Sequence, residues 1–504
     1  MEFSIKNIIK QSAKFNVVGI ISFLILIPTQ LIIGKFLLPE EYGIISFVAL
    51  WALYGRLANP GMLSAAAREV PYLLGKRKEG KTKLIQDVSI SSDIIWSILP
   101  FLVILIASLY YPDRIIKIAL IITGINFLLT RFAGYWSTFN FAKQNFTLVA
   151  VGKLIGAIAK PVFIIIAIYW LKIYAVLLAP MFSDLLTFLY YLKKGPIGYH
   201  FQWDWRVIKK LVKVGIAFSL GGLIFYGYRM ADRTVIASRL SLHELGLFTF
   251  AIGFILFAVN FLADFGRVLE PILWKNSGEG EKAVESFLII KRIAVYFALL
   301  TAIGIPLLQI AYGYIIPLVN PNYINSISVF NVLSLYIFLA ALAMFPAVCL
   351  NSSVVNKQSQ LTFLYGIGLG LAVLLDLILV HLGYGIVPIA MATIVSQGLI
   401  TFSAYCLARP YITKKMKEFV VLQGKILFPF IICILFTIFN SFDFLKTGIA
   451  PQPIISLFLQ ILIWIIIIAL FYRGYFPKKQ LVKIWSGIRN KSISYFSKNN
   501  RNNL

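Results

Sequence analysis

Cysteine, histidine and acidic residues are scarce in this chain of 504 residues. It has 3 cysteines and 3 histidines, and 20 acidic residues against 47 lysines and arginines. Cys349, Cys406 and Cys433 are scattered through apolar segments, which excludes a disulfide framework and a cysteine-based metal site. No paired acids, histidine cluster or Ser/His/Asp grouping is found. These absences argue against an enzyme and against a resident cofactor or metal.

Apolar residues, in contrast, dominate the composition. The chain is 60% hydrophobic with a mean hydropathy of +0.85, whereas soluble domains are nearer half apolar. Apolar runs of 18 or more residues recur along the whole length, which is the length that crosses a bilayer as a helix. The sequence therefore predicts an all-α polytopic membrane protein.

About 14 transmembrane helices are expected, and the loops at the outer face are a dozen residues at most. Such loops are too short to fold into an external catalytic domain. The predicted helices lie near 15–36, 43–66, 89–110, 115–137, 148–170, 173–192, 214–236, 243–264, 293–317, 323–349, 361–382, 384–408, 426–442 and 453–473.

The formal net charge of +27 is distributed very unevenly between the two sides of these helices. With the N-terminus in the cytoplasm, the inner segments hold 35 lysines and arginines, the outer loops 6, and the remaining six lie inside helices. This asymmetry follows the positive-inside rule. It predicts a multi-pass protein of the cell membrane with both termini cytoplasmic, whose basic segments contact anionic membrane lipids rather than nucleic acid.

Two segments outside the predicted helices are assigned to the inner face. Met1–Phe15 places lysines at helical spacing between isoleucines, as an amphipathic surface helix does. The basic segment Arg68–Asp87 is interpreted as a solvated cytoplasmic loop, because a phosphate-binding loop would require a strand and a helix around it.

One stretch of the chain occurs twice in outline. Residues 34–61 and 229–266 each contain an apolar run, a short polar turn and a second apolar run. In the alignment Glu41 falls on Glu244 and Gly43 on Gly246. A repeat of this length in a membrane protein indicates two related helix bundles with a site between them.

Six basic residues inside the predicted helices require an explanation, because each costs about 2.5–3.5 kcal/mol at the bilayer centre. Arg131 and Arg233 lie near helix ends and are expected to extend to the interface. Arg56, Lys160 and Arg229 are deeper. The six are Arg56, Arg131, Lys153, Lys160, Arg229 and Arg233.

Helical periodicity places these cations on faces that suggest a lined cavity. Asn59 shares a face with Arg56, Lys160 lies on one face with Lys153, and Arg233 lies beside Arg229. A local ion pair between Arg229 and Asp232 is the alternative. We count four acids within the helices, and only one of them in the first six: Asp184, Asp232, Asp264 and Asp376. An excess of inward-facing cations predicts an anionic guest such as a phosphate.

The turn at residues 31–43, its second copy at 232–246 and the turn at 140–146 resemble signatures of polysaccharide-repeat flippases. These proteins belong to the multidrug, oligosaccharidyl-lipid and polysaccharide exporter superfamily, and the resemblance covers about residues 5–410. It implies two six-helix lobes that form a V around a central cavity, plus two C-terminal helices. The implied divisions are an N-lobe at 1–192, a cytoplasmic linker at 193–213, a C-lobe at 214–410, the last two helices at 411–475 and a basic cytoplasmic tail at 476–504.

The resemblance further implies alternating access that carries an undecaprenyl-pyrophosphate-linked oligosaccharide from the inner to the outer leaflet. Its cationic cavity would then include Arg56, Lys160, Arg229 and Arg233, with Asn59 beside Arg56. Asp264 and Asp376 are candidates for binding a coupling proton or Na⁺. Lipid-linked glycan and membrane lipids are the expected partners, and polysaccharide polymerase machinery is a further candidate.

Three alternatives remain open at this point. A flippase for a peptidoglycan precursor would use the same chemistry on another head group. A multidrug antiporter of the superfamily would favour acids in its cavity, whereas this chain favours bases. A membrane glycan polymerase or glycosyltransferase would act on the same lipid but would need a larger external loop.

Overall fold

A computed structural model describes residues 25–143, 145–195, 197–277, 290–352, 355–413 and 415–447. Fourteen α-helices and one short 3₁₀ turn, at Pro321–Tyr323, make up its regular structure, and no strand occurs in these ranges. The helices are α1 Ile25–Phe36, α2 Pro39–Leu57, α3 Met62–Gly75, α4 Glu79–Tyr110, α5 Arg114–Ala142, α6 Phe146–Leu171, α7 Ile173–Lys194, α8 Trp205–Arg239, α9 Leu242–Ser277, α10 Ile290–Val319, α11 Ser326–Leu350, α12 Gln358–His381, α13 Ile386–Ile412 and α14 Met416–Thr447. The predicted all-α architecture is confirmed.

Ten of the described helices, α4 to α7 and α9 to α14, are long and apolar enough to cross a membrane. The other four predicted spans differ for separate reasons. The span at 15–36 is described only from Ile25, the span at 43–66 is broken, and α8 contains the charged residues Arg229, Asp232 and Arg233. The span at 453–473, the tail at 476–504 and the surface helix at 1–15 lie outside the described residues.

Local sequence sets where several helices begin. Asp113 caps α5 by accepting hydrogen bonds from the backbone N–H groups of Ile115 at 2.6 Å and Ile116 at 3.2 Å. Asp204 caps α8 in the same way, through Arg206 and Val207. These aspartates satisfy amide groups that have no partner within the helix.

The predicted helix at 43–66 is wrong as a continuous element. Helix α2 ends at Leu57, and α3 begins at Met62 after a turn at Asn59-Pro60-Gly61. The Asn59 side chain accepts a hydrogen bond from the Gly61 N–H at 2.8 Å, and Gly61 has a φ of +79°. Proline and a left-handed glycine both interrupt a helix, and hydropathy alone does not register either effect.

The segment at 68–87 is also not a solvated loop. Helix α3 extends to Gly75, α4 begins at Glu79, and the side chains of Thr82, Gln86 and Asp87 are buried. Other helices are longer than predicted as well, since α9 continues to Ser277 and α14 begins at Met416. Hydropathy therefore predicted these helices too short, because their ends carry polar residues.

The described residues pack around separate cores in two parts of the chain. Buried apolar residues between Ile33 and Leu211 form two clusters, and those between Tyr228 and Cys433 form two others. We call α1–α7 the first lobe and α8–α14 the second lobe. Ile208 and Leu211, at the start of α8, belong to a first-lobe cluster, so α8 contacts both lobes.

The two repeats meet each other at one end of the molecule, which we call the hairpin end. In both turns a glutamate closes the first helical turn: Leu38 N–H donates to Glu41 at 2.9 Å, and Ser241 N–H donates to Glu244 at 3.2 Å. The backbones touch at the matched glycines. A Cβ on Gly43 would lie 1.8 Å from the Leu242 carbonyl oxygen, and one on Gly246 would lie 1.7 Å from that of Pro39. The geometry therefore bears out the matched turns of the repeat, although α9 continues through the residues that align with the break after α2.

Further contacts join the lobes beside this glycine pair. The Asn320 side chain donates to the Leu31 carbonyl at 2.9 Å, and the Tyr323 hydroxyl donates to the Leu37 carbonyl at 3.1 Å. The Tyr42 ring meets the Tyr323 ring edge to face, with centroids 6.4 Å apart. The hairpin end is thus closed by backbone, aromatic and hydrogen-bond contacts between the lobes.

Replacement of Gly43 by alanine should open the hairpin end, because the added Cβ cannot lie 1.8 Å from a backbone oxygen. Leu37 is 1% exposed in this arrangement. A cysteine at Leu37 in purified protein should therefore react with a water-soluble maleimide about tenfold faster or more in the Gly43→Ala background, a shift of about 1.4 kcal/mol or more toward the open state.

The matched control is Gly313→Ala in α10, since a Cβ at Gly313 meets no atom within 4 Å. It should leave the labelling rate unchanged. Equal labelling of the Leu37→Cys reporter with and without the Gly43→Ala substitution would show that the glycine contact does not hold this end closed.

Candidate functional site

The first lobe places two of the predicted cations around one carboxylate. Asp184 on α7 interacts electrostatically with both Arg56 on α2 and Lys160 on α6. It also accepts a hydrogen bond from the Thr130 hydroxyl on α5. Arg56 is exposed and Lys160 is half-buried. Two cations therefore share one acid, so this group has an excess of positive charge.

Arg131 was predicted to extend to the membrane interface, and in the structure it does not. Its guanidinium binds both carboxylate oxygens of Asp93 on α4. The Asp93 side chain is fully buried. The Arg131 guanidinium carbon also lies 5.9 Å from the centre of the Tyr135 ring. A buried carboxylate attracts an arginine more strongly than the distant interface does, because water cannot solvate it.

Asn59 is drawn into the same buried group. Its amide donates to Asp93 while its carbonyl oxygen accepts from the Gly61 N–H. The predicted substrate-binding residue therefore contacts the turn between α2 and α3 and the carboxylate of Asp93. Its contacts in this arrangement hold the helix break in place.

The sequence count of acids within the helices omitted Asp93. With it, the described first lobe has Asp93 and Asp184 among the cations Arg56, Arg131 and Lys160. Asp93 follows the polar run Ser89-Ile90-Ser91-Ser92, which resembles the end of a loop. An acid four residues inside a predicted helix was nevertheless a signal that could have identified the partner of Arg131.

The second lobe places Arg229 and Arg233 on successive turns of α8. Arg229 interacts electrostatically with Tyr336 on α11, and its guanidinium carbon lies 5.7 Å from the centre of the Phe225 ring. Arg233 donates to the Arg229 backbone carbonyl at 3.0 Å. Both are half-buried. An aromatic face lies near Arg229, whereas Arg233 interacts electrostatically with the carboxylate of Asp232.

The local ion pair between Arg229 and Asp232, the alternative to a lined cavity, is absent from the described contacts. Asp232 instead accepts a hydrogen bond from the Thr393 hydroxyl on α13 at 2.9 Å. Asp232 is only 4% exposed. The charges of Arg229 and Asp232 therefore face different surroundings, although the two residues are one turn apart.

Helix α2 of the first lobe faces α8 of the second lobe near these cations. Arg56 interacts electrostatically with Tyr226, which is 45% exposed. The Tyr54 hydroxyl shares a hydrogen bond of 2.5 Å with Thr234. Arg56 thus lies on a helix that faces the helix of Arg229 and Arg233, and a guest between these helices would contact both lobes.

Asp376, a predicted coupling residue, lies against Asp232 within the second lobe. It is fully buried, and neither of its oxygens accepts a hydrogen bond from a donor in the described residues. The group within hydrogen-bonding reach is the Asp232 carboxyl. Two carboxyls can approach this closely only with a proton or another cation between them. The side chain of Asp264, the other predicted coupling residue, lies outside the described residues.

Asp232, Asp376 and Thr393 are therefore the described residues that could hold a small cation. Groups of three or more histidine, cysteine, aspartate or glutamate side chains, as a transition-metal site would require, do not occur among the described residues. Carboxylate and hydroxyl oxygens suit a proton or a hard alkali cation.

Comparison with known sequences identifies one family. Residues 32–313 match the family described as polysaccharide biosynthesis protein, which is more than half of the chain. No curated protein matches the chain in sequence.

Solved structures of transporters share the fold. The lipid II flippase MurJ in an inward closed conformation matches with a TM-score of 0.65 and 15% identity, over 92% of this chain and 99% of that chain. An inward-facing multidrug resistance MATE family transporter of the MOP superfamily matches with a TM-score of 0.62 and 14% identity, over 82% and 99%. A MOP superfamily transporter from Pyrococcus furiosus matches at 0.55 and 14%, over 82% and 96%.

Removal of the Asp93 charge should destabilise the first lobe. Asp93→Ala leaves Arg131 without its buried partner, which costs about 3–5 kcal/mol when one member of a buried pair is removed. The midpoint of thermal unfolding in detergent should fall. The double variant Asp93→Asn/Arg131→Gln, which buries no charge, should recover a large part of the loss. An unchanged midpoint in Asp93→Ala would contradict the assigned ion pair.

Proposed function

Because the chain belongs to the polysaccharide biosynthesis protein family, we propose that it is a flippase for a lipid-linked oligosaccharide. The substrate would be an undecaprenyl-pyrophosphate-linked repeat unit, moved from the inner to the outer leaflet for polysaccharide synthesis. The observation that carries this proposal is the excess of cations on facing helices of the two lobes, with Arg56 on α2 opposite α8.

A diphosphate is the guest that this arrangement suits best. Such a group carries two or more negative charges and must lose hydration when it leaves the membrane surface. Arg56 and Arg229 offer planar guanidiniums that bind phosphate oxygens in pairs, and Lys160 and Arg233 add charge beside them. The phenol of Tyr226 lies close to Arg56 and offers a further donor.

A transport cycle of alternating access is supported by the form of the molecule. The lobes contact each other at the hairpin end through a close backbone approach at two glycines and through the hydrogen bonds of Asn320 and Tyr323, which are the contacts that opening must break. The fold is shared with structures described as a lipid II flippase and a multidrug transporter. Since the described turns at the hairpin end are short, they leave little room for a polymerase or transferase site.

The hairpin end is assigned to the outer face. Basic residues concentrate at the opposite end, as the positive-inside rule requires of the cytoplasmic side. Both termini are then cytoplasmic, in the cell membrane. Cysteines at Asn322 and Lys78 should be labelled from opposite sides of intact cells, with Asn322 outside, and labelling of both from outside would reverse the assignment.

A flippase of a peptidoglycan precursor is the second candidate, because the MurJ structure covers 92% of this chain. The phosphate chemistry is the same in both cases. The family match favours a polysaccharide repeat unit. A multidrug antiporter fits less well, since the described first-lobe site has more bases than acids.

Coupling to a proton or Na⁺ gradient is proposed at Asp232 and Asp376. The two buried carboxyls need a cation between them, and Thr393 supplies a neighbouring hydroxyl. Replacement of Asp376 by asparagine should abolish the dependence of transport on the imposed gradient, because an amide neither takes up the proton nor attracts the ion. Asp232→Asn should also abolish the dependence of transport on the gradient.

The readout is the rate of lipid-linked glycan crossing in vesicles with imposed proton or Na⁺ gradients. The hydroxyl-removing variant Thr401→Val, which alters a buried hydrogen bond to the Leu339 carbonyl, is the matched control and should keep the gradient dependence. Retained dependence in both aspartate variants would place coupling elsewhere in the chain.

Replacement of Arg56 tests the cationic site itself. Loss of a charge-assisted hydrogen bond costs about 1.5–3 kcal/mol, so Arg56→Ala should lower the crossing rate by about 10- to 100-fold. Arg56→Lys keeps the charge and loses the paired donors, so its rate should lie between those of Arg56→Ala and the wild type. Membrane protein level, measured in parallel, separates this effect from misfolding.

The exposed Arg114 at the start of α5 provides the control. Arg114→Ala removes an equal charge at the hairpin end and should leave crossing unaffected. Normal level together with normal crossing in Arg56→Ala would remove Arg56 from the substrate path.

A further inference from the structure

A cleft with one lysine in its wall lies in the first lobe, at the end opposite the hairpins. This cleft of about 530 Å³ opens between α3, α5 and α6, a size within the range of small-molecule pockets. Its wall includes Ala67 and Pro71 from α3, Thr138 and Phe141 from α5, and Phe146 and Lys153 from α6. None of the contacts described above for the cationic site involves this cleft.

Lys153 connects the cleft to the deeper cations. It precedes Lys160 by seven residues on α6, so helical periodicity places both on one face. At 1.5 Å per residue they are separated by about 10.5 Å along the helix axis. Lys160 shares the carboxylate of Asp184 with Arg56. The positive charges therefore continue from the cleft toward the middle of the lobe.

The cleft combines donors with an apolar opening. Lys153 supplies a cation, and Thr138 supplies a hydroxyl, within a wall that is otherwise mostly apolar. The rings of Phe141 and Phe146 meet edge to face with centroids 5.2 Å apart, and Phe141 is 52% exposed. A ligand with a phosphate head and a hydrocarbon chain matches this combination.

We propose that this cleft is the loading site where the diphosphate of the lipid-linked substrate binds before it reaches Lys160 and Arg56. The inference rests on the proposed flippase function. Lys153 binds the diphosphate, Thr138 donates to a phosphate oxygen, and the polyprenyl chain passes Phe141 into the surrounding membrane.

Continuity with the deeper cations favours this occupant over an ordinary phospholipid. A phospholipid that only covers the lobe needs no second cation beyond its head group. A substrate that must move inward needs the next cation within reach, because a step into low dielectric without a counter-charge is costly. Lys160 on the same helix face meets that requirement.

The test uses the full chain with its three cysteines replaced by serine and a reporter cysteine at Phe141. Purified protein in lipid nanodiscs is treated with a maleimide in the presence of undecaprenyl pyrophosphate, undecaprenyl monophosphate or added phosphatidylglycerol. Undecaprenyl pyrophosphate should slow labelling at the lowest concentration. In Lys153→Ala the half-protecting concentration should rise about tenfold, as expected for the loss of one charge-assisted hydrogen bond.

Two variants define the specificity of this effect. Lys153→Arg should keep the protection, because the charge remains. The exposed Lys209 near the start of α8 provides the surface-charge control, and Lys209→Ala should also keep it. Equal protection by phosphatidylglycerol would show a general lipid site and overturn the proposal, as would protection that survives Lys153→Ala.

A transport assay separates this inference from the proposed function. If wild-type vesicles move lipid-linked glycan and Lys153→Ala raises the substrate concentration needed for half-maximal rate without lowering the maximal rate, the loading site is supported. If the wild type moves glycan and Lys153→Ala leaves that concentration unchanged, the loading site is wrong while the flippase function stands. If the wild type moves no lipid-linked glycan, the flippase function fails, and the loading site, which rests on it, fails with it.

Discussion

The cost of placing charge where water is excluded governs the polar interior of this protein. Asp93 is fully buried, and it is accompanied by a guanidinium that binds both of its oxygens and by the amide of Asn59. Asp376 is equally buried, and its neighbour is another carboxyl rather than a base. Arg131 neutralises the charge of Asp93, whereas the pair of Asp232 and Asp376 requires a proton or another cation from solution. A structural ion pair and a candidate ion site are therefore distinguished by what faces each buried acid.

Glycine positions the two lobes relative to each other. At Gly43 and Gly246 the backbone of each repeat approaches the backbone of the other more closely than any side chain permits. A third close approach joins Gly61, in the break after α2, to Gly215 on α8, where a Cβ on Gly61 would lie 2.3 Å from the Gly215 carbonyl oxygen. Both ends of α2 thus touch the second lobe through glycine. Contacts of this kind fix the distance between the two backbones, and side chains beside them, such as Tyr42 and Leu242, pack against the core of the other lobe.

The sequence was sufficient for the all-α architecture and the repeated turn, because long apolar runs and a matched glutamate and glycine are local features. It was insufficient where two signals competed. Apolar residues flank Asn59-Pro60-Gly61 on both sides, and hydropathy carried a helix across a turn that proline and glycine break. The partners of Arg131 and Asp376 lie on other helices, and helical periodicity does not report contacts between helices. The contacts of the predicted cations could therefore not be read from the sequence, and their role in a site stays a prediction.

Helix α8 connects the two charged sites under the proposed function. Arg229 and Arg233 lie one turn apart on it, and Asp232 between them turns toward Thr393 and Asp376. A cation bound at the two carboxyls cancels one negative charge within a turn of Arg229, which strengthens the positive potential acting on an anionic guest. By linkage, the guest must strengthen cation binding to the same degree. The affinities for the ion and for the diphosphate would then be coupled, because one short stretch of α8 faces both.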